Sequence, residues 1–138
     1  MNIATSTDLK FGLGKELDIK EALETFFKCK LEKTSKFNKM DFKNLLKKIY
    51  IEIKSRRFKK NKYKTTFLNL SKIEYSNELL ETDKETKIYF IFNFTDGIFY
   101  IQYDEYLFST FSKQNTYLLK RNAMVFNYLI PVDKLIKI

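Results

Sequence analysis

Histidine and tryptophan are absent from the 138-residue chain, cysteine occurs once (Cys29), and proline stands only at position 131. Without histidine, a Ser-His-Asp triad, a Cys-His nucleophile and a Cys/His zinc site are all excluded within this chain. A lone cysteine cannot build an internal disulfide framework, and the expected compartment is one in which it stays reduced. No apolar run approaches the length of a membrane span, and Met1 to Lys10 lacks the apolar core of a signal peptide. The expectation is a soluble, intracellular protein without a membrane partner. A hydrolase made from this inventory has to work with carboxylates, lysines and a hard metal ion.

Hydrophobic residues make up 44% of the sequence and include 14 Phe and 9 Tyr, enough for one folded domain over residues 1–138 rather than a disordered chain. The formal charge of +9 favours a polyanionic partner, nucleic acid before an acidic membrane. Of the 26 basic residues 23 are Lys, a bias that AT-rich coding also produces, so charge alone does not establish that partner.

The most informative stretch is Ile49-Tyr50-Ile51-Glu52-Ile53-Lys54. Read as a strand, it sends three β-branched isoleucines to one face and Tyr50, Glu52 and Lys54 to the other. Upstream, Met40-Asp41-Phe42 sets an acid between apolar residues. Pairing the two segments as an antiparallel hairpin, 40–42 with 47–54 and Lys43-Asn44 in the turn, brings Asp41 towards Glu52. Carboxylates held that close repel, and a divalent cation offsets the repulsion; oxygen donors favour Mg²⁺ or Mn²⁺ over zinc. The alternative is a simple salt bridge from Glu52 to Lys54 or another lysine. From Ser55 to Lys64 follow Arg56, Arg57, Lys59, Lys60, Lys62 and Lys64 with no acid, interleaved with Phe58 and Tyr63. Beside the Glu-x-Lys strand, such a segment suits phosphate contact and salt-dependent binding.

Apolar spacing at Ile19, Leu23, Phe26, Phe27 and Leu31 predicts a helix. It starts near Leu13, or near Ile19 if Asp18 and Glu21 form a capping box. A second helix runs from Leu70 to about Leu80, with Asn69 or Ser71 as its cap. Lys87–Phe94 and Ile98–Tyr103 read as a hairpin around Thr95-Asp96-Gly97, its first strand buried on both faces. Residues 105–115 read as a short helix or turn. Met124 to Val132 reads as the last strand, with Pro131 suggesting an edge position. This order implies an α/β sandwich with a central mixed sheet flanked by helices.

Asp41 followed by Ile-Glu52-Ile-Lys54-Ser55-Arg56 resembles the bipartite motif of the PD-(D/E)xK nuclease superfamily, which has a restriction-endonuclease-like fold. The likeness runs from about Phe11 to about Gly97 and departs from the common pattern at Met40, where proline is frequent. It implies a Mg²⁺- or Mn²⁺-dependent DNA endonuclease, structure-selective in the manner of a Holliday-junction resolvase or working as a homodimer. In that reading Asp41 and Glu52 bind the metal with the Ile53 carbonyl, and Lys54 orients or activates water. Phe11-Gly12-Leu13-Gly14-Lys15-Glu16 resembles the family's first-helix pattern and implies Glu16 as a third acid, with Glu21 as the runner-up. Arg56, Arg57, Lys64 and Lys72 are the candidates for contacting nucleic acid; in the family the helix after the Glu-x-Lys strand often presents a polar or basic residue towards the site, which implies Lys72, or the preceding Thr65 and Thr66, in that role. A non-catalytic nucleic-acid-binding protein and a virion or assembly component are the competing classes.

Overall fold

The computed structural model describes residues 18–35 and 38–138. Glu16, with the Gly-rich stretch before it, lies outside the described residues. Those described fall into two units that meet between Glu32 and Lys33.

In the smaller unit, residues 18–27 are helical (α1), with Ile19 and Leu23 buried. Asp18 is already inside this helix, so it is not the cap of a capping box. The helix ends at residue 27 rather than at Leu31, because Lys28 turns left-handed (φ 55°) and the Cys29 N–H reaches back to the Glu24 carbonyl at 3.2 Å. That is a Schellman-type stop made without glycine. The Glu24 carboxylate accepts the Leu31 N–H at 2.8 Å and fixes the chain beyond it.

The larger unit carries, apart from Glu32 of β1, a mixed six-stranded sheet in the order β1-β2-β3-β5-β6-β9 and a three-stranded sheet in the order β4-β8-β7. The strands of the first are β1 (Glu32–Lys33), β2 (Phe42–Asn44), β3 (Ile49–Ser55), β5 (Lys87–Phe94), β6 (Gly97–Gln102) and β9 (Ile136–Lys137). Those of the second are β4 (Thr65–Asn69), β7 (Ser112–Leu118) and β8 (Ala123–Pro131). The helices of this unit are α2 (Leu70–Thr82) and α3 (Glu105–Ser109).

β3 runs parallel to β5, with Glu52 beside Phe90 and Lys54 beside Phe92, and β5 forms the expected hairpin with β6. The parallel pair needs a crossover, and β4 with α2 provides it. Apolar residues on both faces make β5 the centre of the core: Phe90, Ile91 and Phe92 are wholly buried. Ile73 from α2, Leu68 from β4, Ile130 from β8 and Phe108 from α3 pack into the same cluster as Phe90 and Phe92.

Three local expectations are corrected. Lys43 and Asn44 are not in the hairpin turn; they pair with Tyr50 and Ile49, and the turn is Leu45–Lys48. Asn44 Oδ1 accepts the Lys47 N–H at 2.9 Å and Lys48 takes a positive φ of 58°, which together close the turn two residues later. β3 accordingly starts at Ile49, not Lys47. The strand carrying Pro131 is not an edge: β8 lies between β4 and β7. Proline is tolerated because it is the last residue of the strand, opposite Thr65. Finally, the short helix read within residues 105–115 is α3, but residues 112–115 of that stretch belong to strand β7 (Ser112–Leu118). The composition of β7 (Ser-Lys-Gln-Asn-Thr-Tyr-Leu) has little hydrophobic alternation, and pairing with β8 supplies what periodicity does not. β4 likewise has no clear pattern of its own, and Asn69, its last residue, caps α2 by accepting the Ser71 N–H.

Candidate active site

Asp41 stands one residue before β2, at a bend, and is tied to β3 on both sides of Glu52. Its N–H donates to the Ile51 carbonyl at 2.9 Å, and its Oδ2 accepts the Ile53 N–H at 2.7 Å. Thr34 braces it from behind, donating to the Asp41 carbonyl through its N–H (3.0 Å) and its Oγ1 (3.2 Å), while the same hydroxyl contacts the Met40 carbonyl. Met40 itself is buried in the core. These bonds fix the carboxylate by backbone geometry and not by a flexible side-chain pairing.

Glu52 is only 2% exposed. Its face of β3 also carries Tyr50 and Lys54, beside Ile88, Phe90 and Phe92, so it sits on the side of the sheet that packs the core. Burial, then the hydrogen bond and the charge of Asp41, push its carboxyl up to about 8, against the pull of Lys72 and Lys54. Lys72, on α2, brings its Nζ to 2.5 Å from Glu52 Oε2 and also donates to the Lys39 carbonyl. The approach is an ion pair at an angle outside that of a directed hydrogen bond, so Oε2 is a buried oxygen without a donor. Lys54 Nζ lies 3.8 Å from the same atom. Two acids and two ammonium groups thus converge at the carboxyl end of β3, next to its parallel neighbour. Ligand crevices in open α/β sheets form outside such strand ends.

The basic segment after β3 is held against the β5–β6 turn. Arg56 N–H donates to the Asn93 carbonyl (2.8 Å), Thr95 N–H to the Phe58 carbonyl (3.1 Å), and Lys60 N–H to Asp96 Oδ1 (3.0 Å). Arg56 is half-buried: its Nε donates to Thr66 Oγ1 (3.2 Å), its Nη2 to the Phe67 carbonyl (2.9 Å), and its guanidinium covers the Phe67 ring at 4.6 Å. Arg57 and Lys64 are exposed, as is Thr65, whereas Thr66 is buried.

Asp41, Glu52, Lys54 and Lys72 are therefore brought together; Arg56 borders them, and Arg57 and Lys64 lie further along the basic segment. Glu21 is exposed on α1. Thr34 escaped sequence reading because a lone threonine before a polar loop carries no signal. Lys72 is the basic residue that the resemblance implies α2 presents towards the site, and its ammonium meets Glu52. No group of three or more potential metal-ligating side chains occurs among the described residues. The donor set present, two carboxylates with one orphaned buried oxygen, nevertheless suits a hard divalent cation, and the ammonium at Oε2 marks a position that takes positive charge.

A mixed α/β sheet with an acid entering the hairpin and a Glu-x-Lys at the strand's end defines the PD-(D/E)xK nuclease class. Comparison with known families agrees: the chain belongs to the family described as "Phage putative PDDEXK endonuclease", which it matches over residues 3–115. The match takes in Asp41, Glu52, Lys54 and Lys72 and ends within β7. No curated protein and no solved structure matches the chain. Among the described residues no helix is long and apolar enough to cross a membrane.

Proposed function

We propose that the chain is a divalent-metal-dependent endonuclease that hydrolyses phosphodiester bonds in DNA. The observation carrying this reading is Glu52: a buried carboxylate with an orphaned oxygen, held against Asp41 and faced by two lysines. Such an arrangement costs stability in a protein that needs only to fold, and it is the kind of strain that functional sites retain.

Asp41 and Glu52 would hold Mg²⁺ or Mn²⁺, with the Ile53 carbonyl; the third acid implied by family resemblance, Glu16, would complete the set. Bound there, the cation supplies Lewis acidity and a water of lowered pKa. The chain's own part is positioning. Asp41 is locked by the Ile53 N–H, and Lys54 stands where it can orient the attacking water and offset negative charge developing on the phosphate. Lys72 holds Glu52 in place, and Arg57 and Lys64 supply exposed cations for the flanking backbone. One site cuts one strand, so two copies or two events are required for a duplex.

The test is cleavage of plasmid, single-stranded and branched DNA with Mg²⁺ or Mn²⁺, wild type beside Asp41→Asn. Metal-dependent cutting that disappears in the variant supports the reading, and the preferred substrate shows whether it is structure-selective. DNA that is bound and never cut would make the chain a binding module.

A further inference from the structure

The three-stranded sheet has one face turned to the core and one that is not. Thr66, Leu68 and Ile130 on the first are buried. The second face lines an open groove of about 370 Å³, bordered by Lys54 and Arg56. Across its three strands runs a row of carboxamides: Asn69 on β4 pairs with Asn127 on β8, which pairs with Gln114 on β7. Directly opposed residues bring their Cβ atoms within roughly 4.5–5.5 Å of each other. Asparagine is depleted in strands, and while Asn69 is accounted for as the cap of α2, Asn127 has no such conformational reason to be there.

Two of the three carboxamides also lack partners. Gln114 and Asn127 make no side-chain hydrogen bond among the described residues, and Asn69 uses only its Oδ1, as the cap of α2. Each offers both an acceptor and a donor, which a surface for phosphate alone does not require. Beside them Phe67 is 53% exposed, with its ring backed by the Arg56 guanidinium. An exposed aromatic braced by a cation is a stacking platform. Lys54 connects the groove to Glu52.

We infer that the groove is a base-reading subsite. It takes an unpaired nucleobase of the bound strand, with the Asn127 and Gln114 amides on the base edge and Phe67 against its ring. The inference rests on the nuclease reading for the phosphate at Lys54; the groove's own chemistry, a mixed donor–acceptor row beside an aromatic ring, selects the nucleobase. Phe67, Asn69 and Gln114 lie within the residues matched by the family, and Asn127 lies beyond them.

Fluorescence anisotropy with labelled dA, dC, dG and dT homopolymers, at matched salt and on full-length Asp41→Asn so that nothing is cut, provides the test. One base should bind at least about five-fold more tightly than the weakest, the lower bound for a good carboxamide–base contact. Adding Asn127→Ala and Gln114→Ala should bring the four affinities together and leave the salt slope unchanged, since no phosphate contact is lost. Gln114→Ala alone, at an exposed position, should narrow the spread and serves if the double change disturbs folding. Equal affinity for all four homopolymers in the parent, or an unchanged spread in the variants, would overturn the inference. Failure of the wild type to cleave any DNA would count against the nuclease reading and leave a base-dependent spread standing.

Discussion

The two sheets of the larger unit put similar residues to opposite uses. In the six-stranded sheet, β5 is apolar on both faces, and the acid beside it, Glu52, is buried with its Oε2 facing two ammonium groups and no well-directed hydrogen bond. In the three-stranded sheet, Asn69, Asn127, Gln114 and Thr116 share one face with Phe67, Leu118 and Val125, and Gln114 and Thr116 are open to solvent. A polar group in the first is constrained by burial, and its protonation and charge neighbours follow from that. A polar group in the second is free to exchange water for a ligand. Chemistry needs the first environment, and recognition needs the second.

The sharpest way to break this contrast is to remove function from each sheet in turn. Glu52→Gln or Lys54→Ala should lower cleavage by at least about 10²–10³-fold, the usual effect of losing a group that stabilises transition-state charge. DNA binding and the circular dichroism spectrum should stay close to wild type. Normal cleavage by Lys54→Ala would remove that residue from the mechanism. Stability should show the reverse asymmetry. Phe92→Ala, in the wholly buried strand, should cost about 3–5 kcal/mol in denaturant unfolding, whereas Phe67→Ala, half exposed beside the groove, should cost much less.

A third prediction concerns the proton on Glu52. Its carboxyl is raised from 4.5 to about 8, so the folded state retains a proton that the unfolded chain releases. Its contribution to the stability of the metal-free protein is fully present below about pH 4.5 and is lost as pH rises through about 8. The loss should be on the order of 3–5 kcal/mol at most. Unfolding in EDTA across that range should show it, and Glu52→Gln should flatten it; a wild-type curve parallel to the variant's would mean the site does not hold the proton. The smallest expected effect is at the exposed cations. Replacing Arg57 and Lys64 by glutamine should weaken DNA binding several-fold and lower the salt slope by about 1–2, with no change in base preference. An unchanged slope would return both residues to ordinary solvated charge.

Part of this was legible beforehand because it depends on local chemistry. Alternation in Ile49–Lys54 gives a strand whatever surrounds it, Asp96-Gly97 gives a turn, and the apolar run of β5 gives a strand buried on both sides. The absence of histidine confined any hydrolytic mechanism to carboxylates and lysines. The turn falls two residues beyond Lys43-Asn44 because what closes it, a positive φ at Lys48, is not a conformation that lysine favours. The edge assigned to Pro131 failed for a related reason: a proline restricts one hydrogen bond, and where that bond lies is settled by the partner strand.

What the sequence by itself determined is the chemical inventory, the Glu-x-Lys strand, the acid ahead of it, and hence the family. Only the tertiary structure decided that Glu52 is buried on the core side of β3, that Lys72 reaches across from α2 to pair with it, and that Thr34 braces Asp41. The same holds for the carboxamide row, whose members are separated by up to 58 positions in the chain, from 69 to 127, and meet only because β4, β8 and β7 pair in that order. The division is physical. Periodicity and composition report what a residue prefers among its neighbours in the chain, whereas burial, ion pairing and cross-strand register depend on non-local contacts that local preference does not encode.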